Sequence, residues 1–192
     1  MTLRIADVDI RRDLDLSRLE RLSEEAAEIA DEEGALDGNQ HYQDLSAASW
    51  EDVRDALERE ATLIELFAGA DNAADLESRF YGNCDPDDDR ASLWNLDVGV
   101  AAAVLALNAL GAHTCSSCNG GAFDGVHAAD MPCVRFFPGD ASAEVLVRLA
   151  KAAGAGLIED EGRAVLYGRT VLDLQRFAVA ALEMQSGADP NP

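Results

Sequence analysis

The sequence is poor in positive charge. Its 192 residues include 37 acidic side chains but only 15 basic ones, and the formal net charge is −22. Lys151 is the only lysine. Proteins that bind a nucleic-acid backbone or an anionic membrane surface do so through clustered lysine and arginine side chains. The composition therefore argues against both kinds of binding.

The sequence also lacks long apolar segments and common catalytic signatures. No apolar run reaches the length of about 18 residues that a membrane-spanning helix needs. The N-terminal segment has no apolar core of the kind found in secretory signal peptides, which predicts a cytoplasmic protein. The Walker A, GxGxxG, GxSxG and HExxH patterns are absent, so no standard reaction is indicated.

The negative charge is concentrated in the first half of the chain. Residues 1–97 contain 27 acidic and nine basic side chains, whereas residues 98–192 contain ten and six. We expect an acidic, mostly helical region over 1–90, an α+β core over 91–185 and a disordered tail over 186–192. An acidic helical surface would suit a basic protein partner, as in an antitoxin, an immunity protein or a defence-system accessory. A high-salt cytoplasm or a GC-rich genome would favour the same composition.

Serine residues mark the predicted helix starts of the first half. Ser17 and Ser49 are each followed three residues later by an acidic residue, the pattern of a capping box. Apolar residues at helical spacing follow both serines and predict helices over 19–33 and 49–69. Residues 3–10 alternate imperfectly between apolar and polar, which predicts a short strand.

The second half alternates helical and strand patterns. The predicted order is helix, strand, strand, helix, strand, strand, helix, over residues 97–110, 112–117, 132–137, 142–153, 157–159, 163–167 and from Thr170 onward. Hairpins between helices indicate an antiparallel or mixed sheet with helices on one face. The sequence therefore predicts an α+β fold in which the acidic helical half packs on a small sheet.

Cysteine and histidine are concentrated in one part of the chain. All four cysteines, Cys84, Cys115, Cys118 and Cys133, fall within a span that also includes two of the three histidines. The Cys115-x-x-Cys118 spacing is typical of half a zinc site, which Cys84, His127 or Cys133 would complete. Cys115 and Cys133 also fall in predicted strands, where they fit equally well as small buried core residues.

A second hypothesis for the same region is thiol chemistry. Cys118 precedes Asn119, Gly120 and Gly121, a tight-turn sequence whose backbone amides could converge on a small anionic ligand or a thiolate. Cys118 would be the nucleophile and His127 its general base. A carboxylate, either Asp97 or Asp85, would orient the histidine.

Two resemblances involve the same segment. Residues 96–127, followed by PCVRFF, resemble a pattern of uncharacterised bacterial proteins in which an apolar helix leads into an SCNGG turn. The piece from Asn108 to Gly120, with its motif residues from Thr114 onward, is similar to the T-x-S-S-C-S-G-R motif of the tRNA-wybutosine-synthesising methyltransferase family. Asn119 stands at the serine position, and Gly121 stands where that family has arginine. This second resemblance implies an S-adenosylmethionine-dependent enzyme that modifies RNA.

Overall fold

A computed structural model describes residues 3–85 and 88–187, and it confirms the predicted α+β class. The described residues form seven α-helices and four strands: α1 (Glu24–Glu33), α2 (Trp50–Ala68), α3 (Ala73–Asn83), α4 (Asp89–Ser92), α5 (Ala101–Ala109), β1 (His113–Cys118), β2 (Cys133–Phe137), α6 (Ala143–Ala153), β3 (Gly156–Asp160), β4 (Arg163–Tyr167) and α7 (Val171–Gln185). The strands form one antiparallel sheet in the order β1-β2-β4-β3. Most of the predicted disordered tail, residues 188–192, lies outside the described residues.

Helices α2 and α7 begin at capping boxes, and the one at α2 is the box predicted at Ser49. At α2, Asp52 N–H donates to Ser49 Oγ at 3.2 Å, and Ser49 N–H donates to the Asp52 carboxylate at 2.8 Å. Thr170 and Asp173 form the same arrangement at α7. Local sequence dictates these two helix starts, because both partners of each box lie three residues apart.

The first helix begins later than the capping pattern at Ser17 predicts, so that prediction is wrong. Ser17 Oγ donates to the Asp15 carboxylate at 2.7 Å and caps no α-helix. Helix α1 follows Ser23 instead, whose Oγ accepts from Ala26 N–H at 3.2 Å. A serine close to an aspartate forms a local turn as readily as a helix cap, which explains the error.

The N-terminal segment crosses the sheet without joining it, so the predicted strand over 3–10 is also wrong. The Tyr167 hydroxyl of β4 donates to the Asp9 carbonyl at 2.8 Å, and Leu157 N–H of β3 donates to the Arg11 carbonyl at 2.8 Å. A strand requires a ladder of paired backbone groups, whereas this segment makes isolated bonds.

The sheet presents one face to the helices. Val134 and Phe136 of β2 are fully buried in one apolar cluster with residues of α5, α6 and α7. Because side chains alternate along a strand, Cys133 points to the opposite face. Cys118 of β1 and Tyr167 of β4 lie directly opposite Cys133 and share that face.

Helix α5 is almost completely buried and is shorter than the predicted range of 97–110. Its N-terminus is capped by another helix: the Glu60 carboxylate of α2 accepts from Gly99 N–H and Ala101 N–H, both at 2.8 Å. These bonds satisfy amides that a helix start leaves without partners. Asp97 lies in the turn before α5, not in the helix itself.

The buried Glu60 predicts a pH dependence of stability. Burial raises the pKa of Glu60 to about 7 from a usual value of 4.5, although three backbone N–H groups favour its ionised form. Between these pH values the unfolded chain has lost the proton while the folded chain keeps it, so the stability falls as pH rises through this window. The shift corresponds to about 3 kcal/mol in the free energy of unfolding.

We expect Glu60→Gln to remove this part of the pH dependence, because glutamine can accept the same two hydrogen bonds without titrating. The measurement is chemical denaturation of both proteins from pH 4 to pH 8. The matched control is Glu58→Gln, which changes an exposed carboxylate of the same helix. Its free energy of unfolding should change with pH as that of the wild type does. If the free energy of unfolding of Glu60→Gln changed with pH as strongly as that of the wild type, this explanation would be wrong.

Candidate metal centre

Three side chains from three separate segments converge at one end of the sheet. Asp97 comes from the turn before α5, Cys118 from the last position of β1, and His127 from the loop between β1 and β2. One ligand atom from each of the three lies within 4.8 Å of the other two. His127 Nδ1 is 3.4 Å from Asp97 Oδ2. Among the described residues, this is the one such group of three cysteine, histidine or carboxylate ligands.

The turn after β1 orients the thiol. Gly120 N–H points to Cys118 Sγ at 3.4 Å. Gly120 and Gly121 both have positive φ angles, +67° and +69°, which favour glycine. A Cβ atom on Gly120 would lie 2.3 Å from the carbonyl carbon of Met131, so the two ends of the loop pack closely at this point.

Asn119 connects the turn to both carboxylates of the site. Its side chain is completely buried, and its amide donates to Glu77 Oε1 at 2.6 Å. Its backbone N–H donates to Asp97 Oδ2 at 3.1 Å, and its side-chain carbonyl accepts from Gly121 N–H at 3.0 Å. The three amides predicted to bind a small anion thus have acceptors inside the protein, and they orient the site's own groups.

Glu77 of α3 is the residue of the candidate site that the sequence prediction missed. It is buried, and its Oε2 is 3.6 Å from His127 Nε2, the ring nitrogen that faces away from Asp97. Burial raises the pKa of Glu77, whereas the hydrogen bond from Asn119 and the nearby His127 lower it. The available signal was the spacing of Glu77 from two apolar residues, four positions after Ala73 and three before Phe80, which places all three on one face of a helix.

The site has an excess of negative charge. Within the described part of the chain, neither Asp97 nor Glu77 forms an ion pair with an arginine or lysine. Arg4 contacts the turn instead, where its Nη1 donates to the Gly120 carbonyl at 3.0 Å. Two carboxylates and a thiol around one imidazole therefore form a setting that favours a bound cation.

Cys115 does not join Cys118, although the spacing suggests a shared site. Its thiol lies 3.3 Å from the Arg135 carbonyl and 3.6 Å from the Asp37 carboxylate. Burial, with the neighbouring Asp37 second, raises the pKa of Cys115 to about 12. Both cysteines belong to β1, and three residues of extended chain span about 10 Å, whereas a CxxC metal site needs a turn between its cysteines.

Cys84 and Asp85 also lie apart from this group. Cys84 follows α3, and its thiol donates to the Ala91 carbonyl at 3.4 Å. Asp85 comes directly after it and is not part of the three-residue group. Of the predicted zinc ligands, Cys84, Cys115, Cys118, Cys133 and His127, the three-residue group includes Cys118 and His127, with Asp97 as the third member.

Comparisons with known proteins returned nothing: no protein-family model, curated protein or solved structure matches the chain. Among the described residues, no helix is both long and apolar enough to cross a membrane. The RNA-modifying activity implied by the short methyltransferase-like stretch stays a prediction.

The close packing of Gly120 makes it a sensitive position. In Gly120→Ala, the new methyl group would clash with the Met131 backbone, and alanine would also have to adopt a left-handed conformation. In Gly154→Ala only the conformational cost applies, because Gly154 has a φ of +74° and no atom lies within 4 Å of the position of an added Cβ. We expect Gly154→Ala to lower the free energy of unfolding by about 1 kcal/mol and Gly120→Ala by at least about 2 kcal/mol more. Denaturant titration of the two variants checks this, and equal losses would contradict it.

Proposed function

We propose that the protein binds one zinc ion through Asp97, Cys118 and His127, with a fourth coordination position open to solvent or substrate. One observation carries the proposal, the convergence of the three ligand atoms within 4.8 Å. Two ligands bound to zinc at about 2.0–2.1 Å in tetrahedral geometry lie about 3.3 Å apart. The 3.4 Å between His127 Nδ1 and Asp97 Oδ2 fits that spacing.

Glu77 supports this proposal through the second nitrogen of His127. If Nδ1 binds the metal, Nε2 carries a proton, and Glu77 Oε2 at 3.6 Å is the group that faces it. Metal-binding histidines usually donate their other N–H to a carboxylate or carbonyl, which fixes the ring and strengthens the ligand. Asn119 in turn holds Glu77 in position at 2.6 Å.

The ligand types favour zinc over other divalent ions. Magnesium and calcium prefer oxygen ligands throughout and do not fit a site with a cysteine thiolate and an imidazole. Three protein ligands and an open position are typical of catalytic zinc sites, where the metal activates a bound water for hydrolysis. The Asp97 side chain is 29% exposed, so solvent reaches one edge of the site. We therefore propose metal-assisted hydrolysis as the reaction class.

A second candidate function is a metal-free cysteine nucleophile. The Gly120 N–H that points to Cys118 Sγ at 3.4 Å would stabilise a thiolate, and His127 is close enough to act as its base. The neighbouring carboxylates of Asp97 and Glu77 oppose a free thiolate, however, and favour a cation. The acidic interaction protein remains a further prediction from the charge of the first half.

Zinc binding is tested on protein stripped with a chelator and titrated with zinc against a chromophoric competitor. We expect the wild type to bind one zinc per chain, and Asp97→Asn, Cys118→Ser and His127→Asn each to lose at least about 10- to 100-fold in affinity. Cobalt substitution supplies a second readout, because the sulfur-to-cobalt absorption band should vanish in Cys118→Ser.

Matched controls separate ligand loss from general damage. Asp130→Asn changes an exposed aspartate of the same loop as His127, and Cys84→Ser changes a thiol outside the group. Both should bind zinc like the wild type. A wild-type protein that binds zinc no more tightly than the three ligand variants would overturn the proposal. Rapid alkylation of Cys118 that is unaffected by zinc would favour the nucleophile instead.

Glu77→Gln tests the supporting carboxylate. Glutamine can still accept the hydrogen bond from Asn119, but its amide nitrogen cannot accept from His127. We expect the variant to keep one zinc per chain with an affinity about 10- to 100-fold lower. Asp75→Asn, on the exposed side of the same helix, is the control and should bind like the wild type. Unchanged affinity in Glu77→Gln would show that His127 needs no such partner.

A further inference from the structure

Cys133 lies directly opposite Cys118, the cysteine of the metal centre. The two residues are register partners in the antiparallel pair formed by β1 and β2. Directly opposite residues place their side chains on the same face of a sheet, with Cα atoms about 4.5–5.5 Å apart. This separation falls within the range of about 4.4–6.8 Å found in disulfide bonds.

The two thiols are unbonded and close to the same charges. Both cysteines are free in this structure, Cys118 buried and Cys133 partly buried. Burial is the main cause that raises the pKa of Cys133 to about 11; the neighbouring Cys118 and Asp97 contribute to this rise, and Arg135 opposes it. Two of the groups that act on Cys133, Cys118 and Asp97, are thus proposed metal ligands, so its thiol lies beside the candidate metal centre.

The remaining two cysteines are poorly placed to react with Cys118. The Cys115 thiol faces Asp37 and the Arg135 carbonyl, and the Cys84 thiol donates to Ala91 on another segment. All four cysteines lie among the described residues. Cys133 is therefore the partner that the sheet provides for Cys118.

We infer that Cys118 and Cys133 are a redox pair, which a peroxide converts to a reversible disulfide that expels the bound metal. The metal release rests on the proposed zinc centre, whereas the disulfide itself does not. The Cys118 thiolate attacks one peroxide oxygen, forming a sulfenic acid and releasing water after protonation. The Cys133 sulfur then attacks the sulfenic sulfur, so that the S–S bond forms and a second water leaves. One peroxide is reduced and two thiols are oxidised.

The position of the pair explains why oxidation would empty the site. Cys118 ends β1 and Cys133 begins β2, so the disulfide would join the two ends of the loop that carries His127. It would also remove the sulfur ligand and leave Asp97 and His127 as the two remaining protein ligands. A thiol reductant would restore Cys118 and hence the complete ligand set.

The first arm of the test uses metal-free, fully reduced protein and hydrogen peroxide. We expect two of the four free thiols to be lost, the intact mass to fall by two hydrogen atoms, and a non-reducing digest to link the peptides of Cys118 and Cys133. Dithiothreitol should restore all four thiols. A disulfide that maps to Cys84 or Cys115, or oxygen addition to Cys118 without a disulfide, would overturn the inference. The zinc proposal is unaffected by this arm.

The second arm uses the zinc-loaded protein and a colorimetric zinc indicator. We expect one zinc released for each disulfide formed, and rebinding after reduction. Cys133→Ser should bind zinc like the wild type but form no disulfide, and Cys84→Ser should behave like the wild type throughout. If Cys133→Ser binds zinc at least about tenfold more weakly, Cys133 is itself a metal ligand and the switch is overturned.

Discussion

The rest of the site depends on the hydrogen bonds of one buried residue, Asn119. It donates to Glu77 at 2.6 Å and accepts from Gly121 N–H at 3.0 Å, while its backbone N–H donates to Asp97 at 3.1 Å. One residue therefore joins α3, the turn before α5 and the end of β1. A buried polar group left without a partner costs about 1–3 kcal/mol, so movement of any one segment is opposed by the other two.

Some of the acidic side chains form ion pairs with arginines of the same chain. Arg163 of β4 contacts Glu20 at 2.6 Å and Asp37 at 2.9 Å, and Arg18 pairs with Glu159 at 3.1 Å. Acidic and basic groups from the two halves of the sequence thus meet across the sheet. Ion pairs that solvent still reaches each contribute little to stability, but several together help to hold the N-terminal segment against the strands. Among the residues that the structure describes, the carboxylates of the candidate metal centre, Asp97 and Glu77, have no such basic partner.

Much of the fold could be predicted from local patterns. The capping boxes at Ser49 and Thr170 define two helix starts, and the charge-free segment that becomes α5 is recognisable as a buried helix. Cys118 and His127 stand out because cysteine, histidine and glycine are concentrated around them. The prediction failed where a local pattern had two outcomes, as at Ser17, whose hydroxyl bonds to a nearby aspartate instead of capping a helix.

The sequence by itself determined the α+β class, the helix cap at Ser49 and the glycine turn after Cys118, because each depends on residues a few positions apart. Only the tertiary structure decided which carboxylates meet His127. Asn119 reaches Asp97 across 22 residues and Glu77 across 42, and positions along the chain do not show that these two acids meet at one histidine. Their role arises from the packing of α3 and the turn before α5 against the end of β1. The same packing sets Cys133 beside Cys118, because strand register, not sequence spacing, places side chains opposite each other.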